Sequence, residues 1–311
     1  MVSEQNKLFN LNHIINCSKS DITKLIKSSE NYLKKQLIEV TREICSKNVD
    51  IKVVCIAGPS CAGKTTFMRM LCEKMVTFGA EPIMVSTDNF YIDRDKTPFL
   101  EDGVTRDFES LRALNLRQMN ECFHVLRTQR KCKFPIYDFV TGKNIPDQIP
   151  MTLTKNTVIV MEGIHALNPE VISALDFKNV YKIFISPNSS FVLNKKTVIT
   201  GEQLRFMRRI TRDRVARGYS PEKTYLTWPN VLAAEQIYIN KYKYTANAII
   251  DTTHAYELVL YKYYLYKTLA EMNYSAEALY LHYILKDIKG YSKKIVPDFS
   301  LMWEFMVNKE D

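Results

Sequence analysis

The run Gly58-Pro-Ser-Cys-Ala-Gly63-Lys64-Thr65 has the spacing G-x-x-x-x-G-K-[ST]. Glycines let the backbone curl so that successive N–H groups point into one anion-sized nest. The following helix adds its positive end, the lysine reaches the outer phosphates and the hydroxyl reaches Mg²⁺. Gly58, Pro59, Ser60, Cys61, Ala62, Gly63, Lys64, Thr65 and Thr66 are therefore the expected cradle of a nucleoside triphosphate. The segment Ser86-Thr-Asp88-Asn-Phe-Tyr91 puts Asp88 at the carboxyl end of an expected strand, where ligands bind in open α/β sheets. A carboxylate there can accept the proton of an attacking hydroxyl. Val158-Ile-Val-Met-Glu162-Gly163 is an apolar strand ending in an acid, suited to hold Mg²⁺ directly or through water.

Six arginines, Arg205, Arg208, Arg209, Arg212, Arg214 and Arg217, crowd into thirteen residues with one acid. Arg205, Arg209 and Arg212 share a helix face and are expected to converge on transferring phosphate, where cations stabilise developing charge. Each group also has a plainer alternative: a helix cap for Asp88, a structural acid for Glu162, a solvated basic face for the arginines.

These residues need a scaffold. Ile51–Ala57 is a short apolar run of the kind buried on both faces. Further strands are expected at 82–86, 157–161, 181–185 and 248–251, with helices at 22–46, 67–75, 109–128, 168–176, 201–217 and 231–243. Strands alternating with helices predict an α/β fold with a doubly wound, mainly parallel sheet. Residues 1–20 show no strong periodicity and read as an arm. The divisions expected are an arm and helix over 1–48, a phosphate-loop domain over 49–253 with a lid at about 201–222, and a tyrosine-rich helical extension over 254–311.

Composition bounds the rest. The 311 residues are 46% hydrophobic and 25% charged, an ordinary globular balance that excludes disorder and low complexity. A formal charge of +9 suits an anionic partner, and the compact arginine cluster favours phosphates at one site over a broad nucleic-acid surface. Seven cysteines without a C-x-x-C pair argue against a zinc site or disulfide framework. No apolar run approaches ~18 residues and no secretory signal opens the chain, so a cytoplasmic protein without membrane contact is expected.

Five segments in order, Gly58–Thr66, Asp88–Tyr91, Pro135-Ile-Tyr-Asp-Phe139, Glu162–Pro169 and Arg208–Gly218, resemble the uridine kinase/phosphoribulokinase family. Asp107-Phe-Glu-Ser-Leu111, Gly218-Tyr-Ser-Pro-Glu222, Trp228-Pro229 and Trp303-Glu-Phe305 are most similar to uridine kinase-like nucleoside kinases that often follow a threonyl-tRNA-synthetase-like region. The resemblance covers roughly 50–307. It implies a P-loop NTPase fold with a helical lid, and transfer of the ATP γ-phosphate, with Mg²⁺, to the 5′-hydroxyl of uridine or cytidine. It also implies Asp88 as base, Thr65 and Glu162 joining Asp88 around Mg²⁺, Asp107 on the ribose hydroxyls, and Tyr91, Phe108, Tyr137 and Phe139 around the nucleoside. Arg209, Arg212 and Arg217 would belong to the lid, Arg209 reaching the substrate and Arg217 the ATP.

Two departures bear on specificity. Relatives that read a pyrimidine carry a histidine where this chain has Gly142, and a further lid arginine where it has Tyr219. The synthetase-like region is also expected to be absent, about 50 residues being too few for it. Two alternatives stay open: a kinase for another hydroxyl, such as a sugar phosphate or pantothenate, and a nucleotide-binding regulator without catalysis. A homo-oligomer built on the tyrosine-rich tail is a further expectation.

Overall fold

Every residue of Val53–Ala57 and of Thr157–Glu162 is buried, as expected of strands covered on both faces. The computed structural model describes residues 7–46, 51–100, 103, 106–216 and 218–306. A short strand β1 (Leu8–Asn10) leads into helices α1 (Leu11–Ser20) and α2 (Ile22–Ile44). Strand β2 (Val53–Ala57), helix α3 (Lys64–Val76) and strand β3 (Glu81–Ser86) follow. Helix α4 (Leu116–Gln129) precedes a hairpin of β4 (Lys131–Asp138) and β5 (Lys143–Thr152). Next come β6 (Thr157–Glu162), α5 (Pro169–Leu175) and β7 (Val180–Ser186), then a second hairpin of β8 (Ser190–Leu193) and β9 (Lys196–Ile199). Helices α6 (Gly201–Ala216) and α7 (Pro221–Tyr238) lead to β10 (Ala248–Asp251). The described chain closes with α8 (Glu257–Tyr264), α9 (Tyr266–Glu271), α10 (Ala276–Leu285) and a 3₁₀ turn at Leu301–Glu304.

Five strands form one parallel sheet in the order β10-β7-β2-β6-β3. Alternate residues of β2 enter opposite cores: Val54 and Ile56 join the cluster beneath α2, α3, α6 and α8, whereas Val53, Cys55 and Ala57 join the one beneath α4 and α5. That is the doubly wound arrangement, and each fully buried Val or Ile adds about 1.5–3 kcal/mol to it. Leu301, Met302 and Phe305 lie in the same cluster as Phe67 and Met68 of α3, so the C-terminal segment is packed into the core under the phosphate-loop helix.

Several expectations need correction. Residues 8–20 are not an arm: β1 pairs in parallel with β8, Phe9 lies against Phe191, and the Asn10 side chain caps α1. The helix expected over 109–128 starts at Leu116, because Asn115 accepts from Gln118 N–H and Ser110 caps only a short 3₁₀ turn before it. The helix expected over 231–243 starts at Pro221, capped by Ser220, and carries Pro229 in its interior. Neither hairpin was expected. Helix α2 does start where Asp21 caps it, by accepting from Thr23 N–H.

Candidate active site

β2, β6 and β3 are neighbours and end at the same edge, so the phosphate loop, Glu162 and Ser86-Thr-Asp88 meet there. Gly58 is required by a close approach: a Cβ there would sit 2.0 Å from the Ile185 carbonyl oxygen of β7. Cys61 (φ 60°) and Gly63 (φ 93°) supply the left-handed turns that curl the loop into α3. No side chain caps α3 at Gly63. Lys64 folds back, its Nζ donating to the Pro59 carbonyl (3.1 Å), and Thr66 N–H meets a carboxylate of the C-terminal segment.

The acids form a tight group. Ser86 and Glu162 are register partners, and Ser86 Oγ donates to Glu162 Oε1 at 3.0 Å. Thr65 Oγ1 lies 3.5 Å from the same oxygen. Ser86 Oγ also accepts from Asp88 N–H (3.3 Å), which fixes the 3₁₀ turn Thr87–Phe90 and with it Asp88. Burial, with the Asp88 charge next, pushes the Glu162 carboxyl up to about 7. Two carboxylates crowded beside a hydroxyl, all hard oxygen donors, suit a small divalent cation. Among the described residues no cluster of three or more His, Cys, Asp or Glu could hold a metal. A Mg²⁺ here would rest on Thr65, Glu162 and Asp88, with water and phosphate completing its shell.

The arginines divide by partner. Arg205 is committed to a buried ion pair: it pairs with Glu235 (Nη2–Oε2 2.7 Å) and donates to the Ser60 carbonyl. Arg208, fully buried, pairs with Glu257 and donates to the Cys61 carbonyl, bracing the loop from behind. Arg209 reaches the loop itself, donating to Ser60 Oγ (3.0 Å), with its Nε 3.4 Å from Asp213. Arg212 is held by the same acid (Nη2–Oδ1 2.6 Å). Arg217 lies outside the described residues.

A second wall faces Asp88. Tyr91 is edge-on to Phe108 (centroids 5.6 Å), Tyr137 (5.5 Å) and Phe139 (6.3 Å), and Tyr137 is edge-on to Phe139 (5.0 Å). The hairpin β4–β5 delivers Tyr137, with Phe139 in its turn. Burial first, then the charges of Asp88, Glu109 and Glu162, hold the Tyr91 phenol well above its usual range, and its hydroxyl donates to the Phe108 carbonyl (3.2 Å). Asp107 spends one carboxylate oxygen on the N–H groups of Glu109 and Ser110. Gly142 has φ 71°, and a Cβ there would meet the Arg94 side chain at 2.7 Å, so Arg94 fills the space of the expected histidine. Lys143 turns away to Asp93 and Asp95.

A family model described as the Phosphoribulokinase / Uridine kinase family matches residues 53–258. The chain belongs to that family. Among sequence relatives, inorganic pyrophosphatase TTM1 of Arabidopsis thaliana is 26% identical over 187 residues, 60% of this chain and 25% of its own length. The uridine kinase of Borrelia duttonii (strain Ly) is 24% identical over 173 residues, 55% of this chain and 72% of its own. The chain spans about a quarter of the length of the Arabidopsis pyrophosphatases it matches. Among solved structures, a candidate fructose transport system kinase from Silicibacter sp. TM1040 is 14% identical, covered to 98% against 68% of this chain, with a TM-score of 0.49.

Two acids escaped the sequence reading. Glu109 is half-buried, and burial raises its carboxyl, opposed by the charges of Arg209 and Lys64 and reinforced by those of Glu235 and Asp88. Its signal was Asp107-Phe-Glu-Ser. The other is Glu304, whose only signal was Trp303-Glu-Phe305. No helix among the described residues is long and apolar enough to cross a membrane.

Proposed function

We propose that the chain transfers the γ-phosphate of ATP to the 5′-hydroxyl of uridine or cytidine. The observation that carries this reading is the placement of Asp88. It lies in the turn Thr87–Phe90 after β3, beside the β2 and β6 edge that carries the phosphate loop, and three residues before Tyr91 of the edge-on cluster with Phe108, Tyr137 and Phe139. A flat base takes the aromatic side, which leaves its ribose hydroxyl toward the carboxylate and the phosphates.

Each residue then has a task. Lys64 leaves the Pro59 carbonyl for the outer phosphates, and the loop's N–H groups hold the chain of phosphates in line. Asp88 accepts the proton of the attacking hydroxyl through a carboxylate oxygen. Arg209, already at Ser60, offsets charge on the phosphoryl oxygens, with Arg212 beside it on the same helix. Asp107 keeps one carboxylate oxygen for the ribose, the other being committed to its turn. Mg²⁺, when bound by Thr65, Asp88 and Glu162, neutralises phosphate charge.

The test is ADP release with MgATP against uridine, cytidine, adenosine, ribulose 5-phosphate and pantothenate, with Asp88→Asn in parallel. Turnover is expected on uridine or cytidine and is expected to vanish in Asp88→Asn while both ligands still bind. Near-normal turnover of the variant removes Asp88 from the role. Turnover on ribulose 5-phosphate or pantothenate alone replaces the nucleoside.

A further inference from the structure

In α3 the first intrahelical hydrogen bond runs from Phe67 N–H to the Gly63 carbonyl (3.0 Å). The N–H groups of Lys64, Thr65 and Thr66 precede it and have no acceptor within the helix. In a phosphate loop such donors face the phosphates. One of them is already taken. Thr66 N–H donates to Glu304 Oε2 at 2.9 Å, across 238 residues of sequence.

Glu304 is held there by a fitted segment. Ser300 caps the 3₁₀ turn Leu301–Glu304, and its hydroxyl lies 2.8 Å from that of buried Tyr256. Leu301 fills the space beside Gly63, where a Cβ would fall 2.6–2.9 Å from three of its side-chain atoms. Phe305 lies under the Arg208 guanidinium at 4.6 Å, and Arg208 in turn holds the Cys61 carbonyl. The segment therefore touches the loop at Gly63, at Thr66 and, through Arg208, at Cys61.

A carboxylate at a helix N-terminus is commonly a cap. This helix differs because its free donors are those a nucleotide uses. One N–H cannot serve a carboxylate and a phosphate at full strength, and the two anions repel at that distance. We propose that Ser300–Met306 is an autoinhibitory strap: Glu304 occupies a phosphate position at Thr66, and nucleotide binding must displace it. The strap rests on the reading that this loop takes the phosphates of a nucleotide.

The experiment is calorimetric binding of MgADP, inorganic pyrophosphate and adenosine to the full chain and to Glu304→Gln. The variant keeps the side chain's size and loses its charge. MgADP and pyrophosphate are expected to bind roughly three- to tenfold more tightly to Glu304→Gln, while adenosine binds equally to both. Hydrogen exchange on the unmodified chain gives a second measure that needs no variant. MgADP is expected to speed exchange in the peptide over 298–306 while slowing it in the loop. Equal or weaker anion binding by the variant overturns the strap, as does slowed or unchanged exchange at 298–306 with MgADP bound. Absence of MgADP and pyrophosphate binding in both proteins overturns the phosphate-loop reading and the strap with it.

Discussion

Arg208 and Glu257 form a two-pronged ion pair at zero exposure, Nε to Oε2 at 2.8 Å and Nη2 to Oε1 at 3.0 Å. Tyr261 adds its hydroxyl to Glu257, and Arg208 extends to Cys61 and Thr252. The pair thus rivets α6 and α8 beneath the phosphate loop. Removing one partner leaves a buried, uncompensated charge. Arg208→Leu is expected to cost about 3–5 kcal/mol in urea unfolding, and adding Glu257→Leu to recover much of that loss. A double variant as unstable as the single one would mean that the loop contacts, and not the charge pairing, hold this region.

If Mg²⁺ rests on Glu162 as proposed, its binding is proton-linked. The Glu162 carboxyl is pushed up to about 7 by burial and by Asp88, yet a cation needs the carboxylate. At pH 6 binding must release a proton, and apparent Mg²⁺ affinity should fall by up to about tenfold per pH unit below about 7. Calorimetry in buffers of different ionisation enthalpy reads the proton count. About one proton is expected from the unmodified chain and none from Glu162→Gln. No release from the unmodified chain would take Glu162 out of the metal group.

What could be read from the sequence was what is local. The phosphate loop is nine consecutive residues, and the strands of the buried sheet show as short, mostly apolar runs, so β2, β6, β7 and β10 were all anticipated. Strand β5 was not: it contains Pro146 and Pro150 and is mostly exposed, leaving no apolar alternation to find. Helix α7, expected over 231–243, runs instead over Pro221–Tyr238, with Pro229 in its interior where a proline ordinarily interrupts a helix. The arginine segment shows the harder limit. Helical spacing tells which arginines share a face, but not that Glu235 and Glu257, 30 and 49 residues away, neutralise Arg205 and Arg208. Glu304 lay further still, beyond any pattern, and only packing brings it to Thr66.

Phe139 offers a clean test of the aromatic wall, because it is 59% exposed and contributes little to the core. Stacking of a base on such a ring is worth about 1–3 kcal/mol. Phe139→Ala is therefore expected to raise the nucleoside KM by roughly five- to a hundredfold, with the ATP KM and the melting temperature nearly unchanged. An unaltered nucleoside KM would place the base elsewhere. A matching rise in both KM values would instead point to a distorted hairpin.

His165 should shape the acid limit of stability. Its ring is buried in the loop after β6, against Tyr238 at 6.0 Å. Burial lowers its pKa from the usual 6.5 to about 4, so the folded chain keeps it neutral. The unfolded chain takes up the proton below 6.5, so its contribution is complete above 6.5 and is lost as pH falls toward 4. That interval corresponds to about 3 kcal/mol. Urea midpoints measured from pH 7 to pH 4 should decline, and His165→Gln should flatten the decline although it lowers stability at pH 7. A variant whose midpoint falls as steeply as that of the unmodified chain would show that the acid sensitivity lies in other groups.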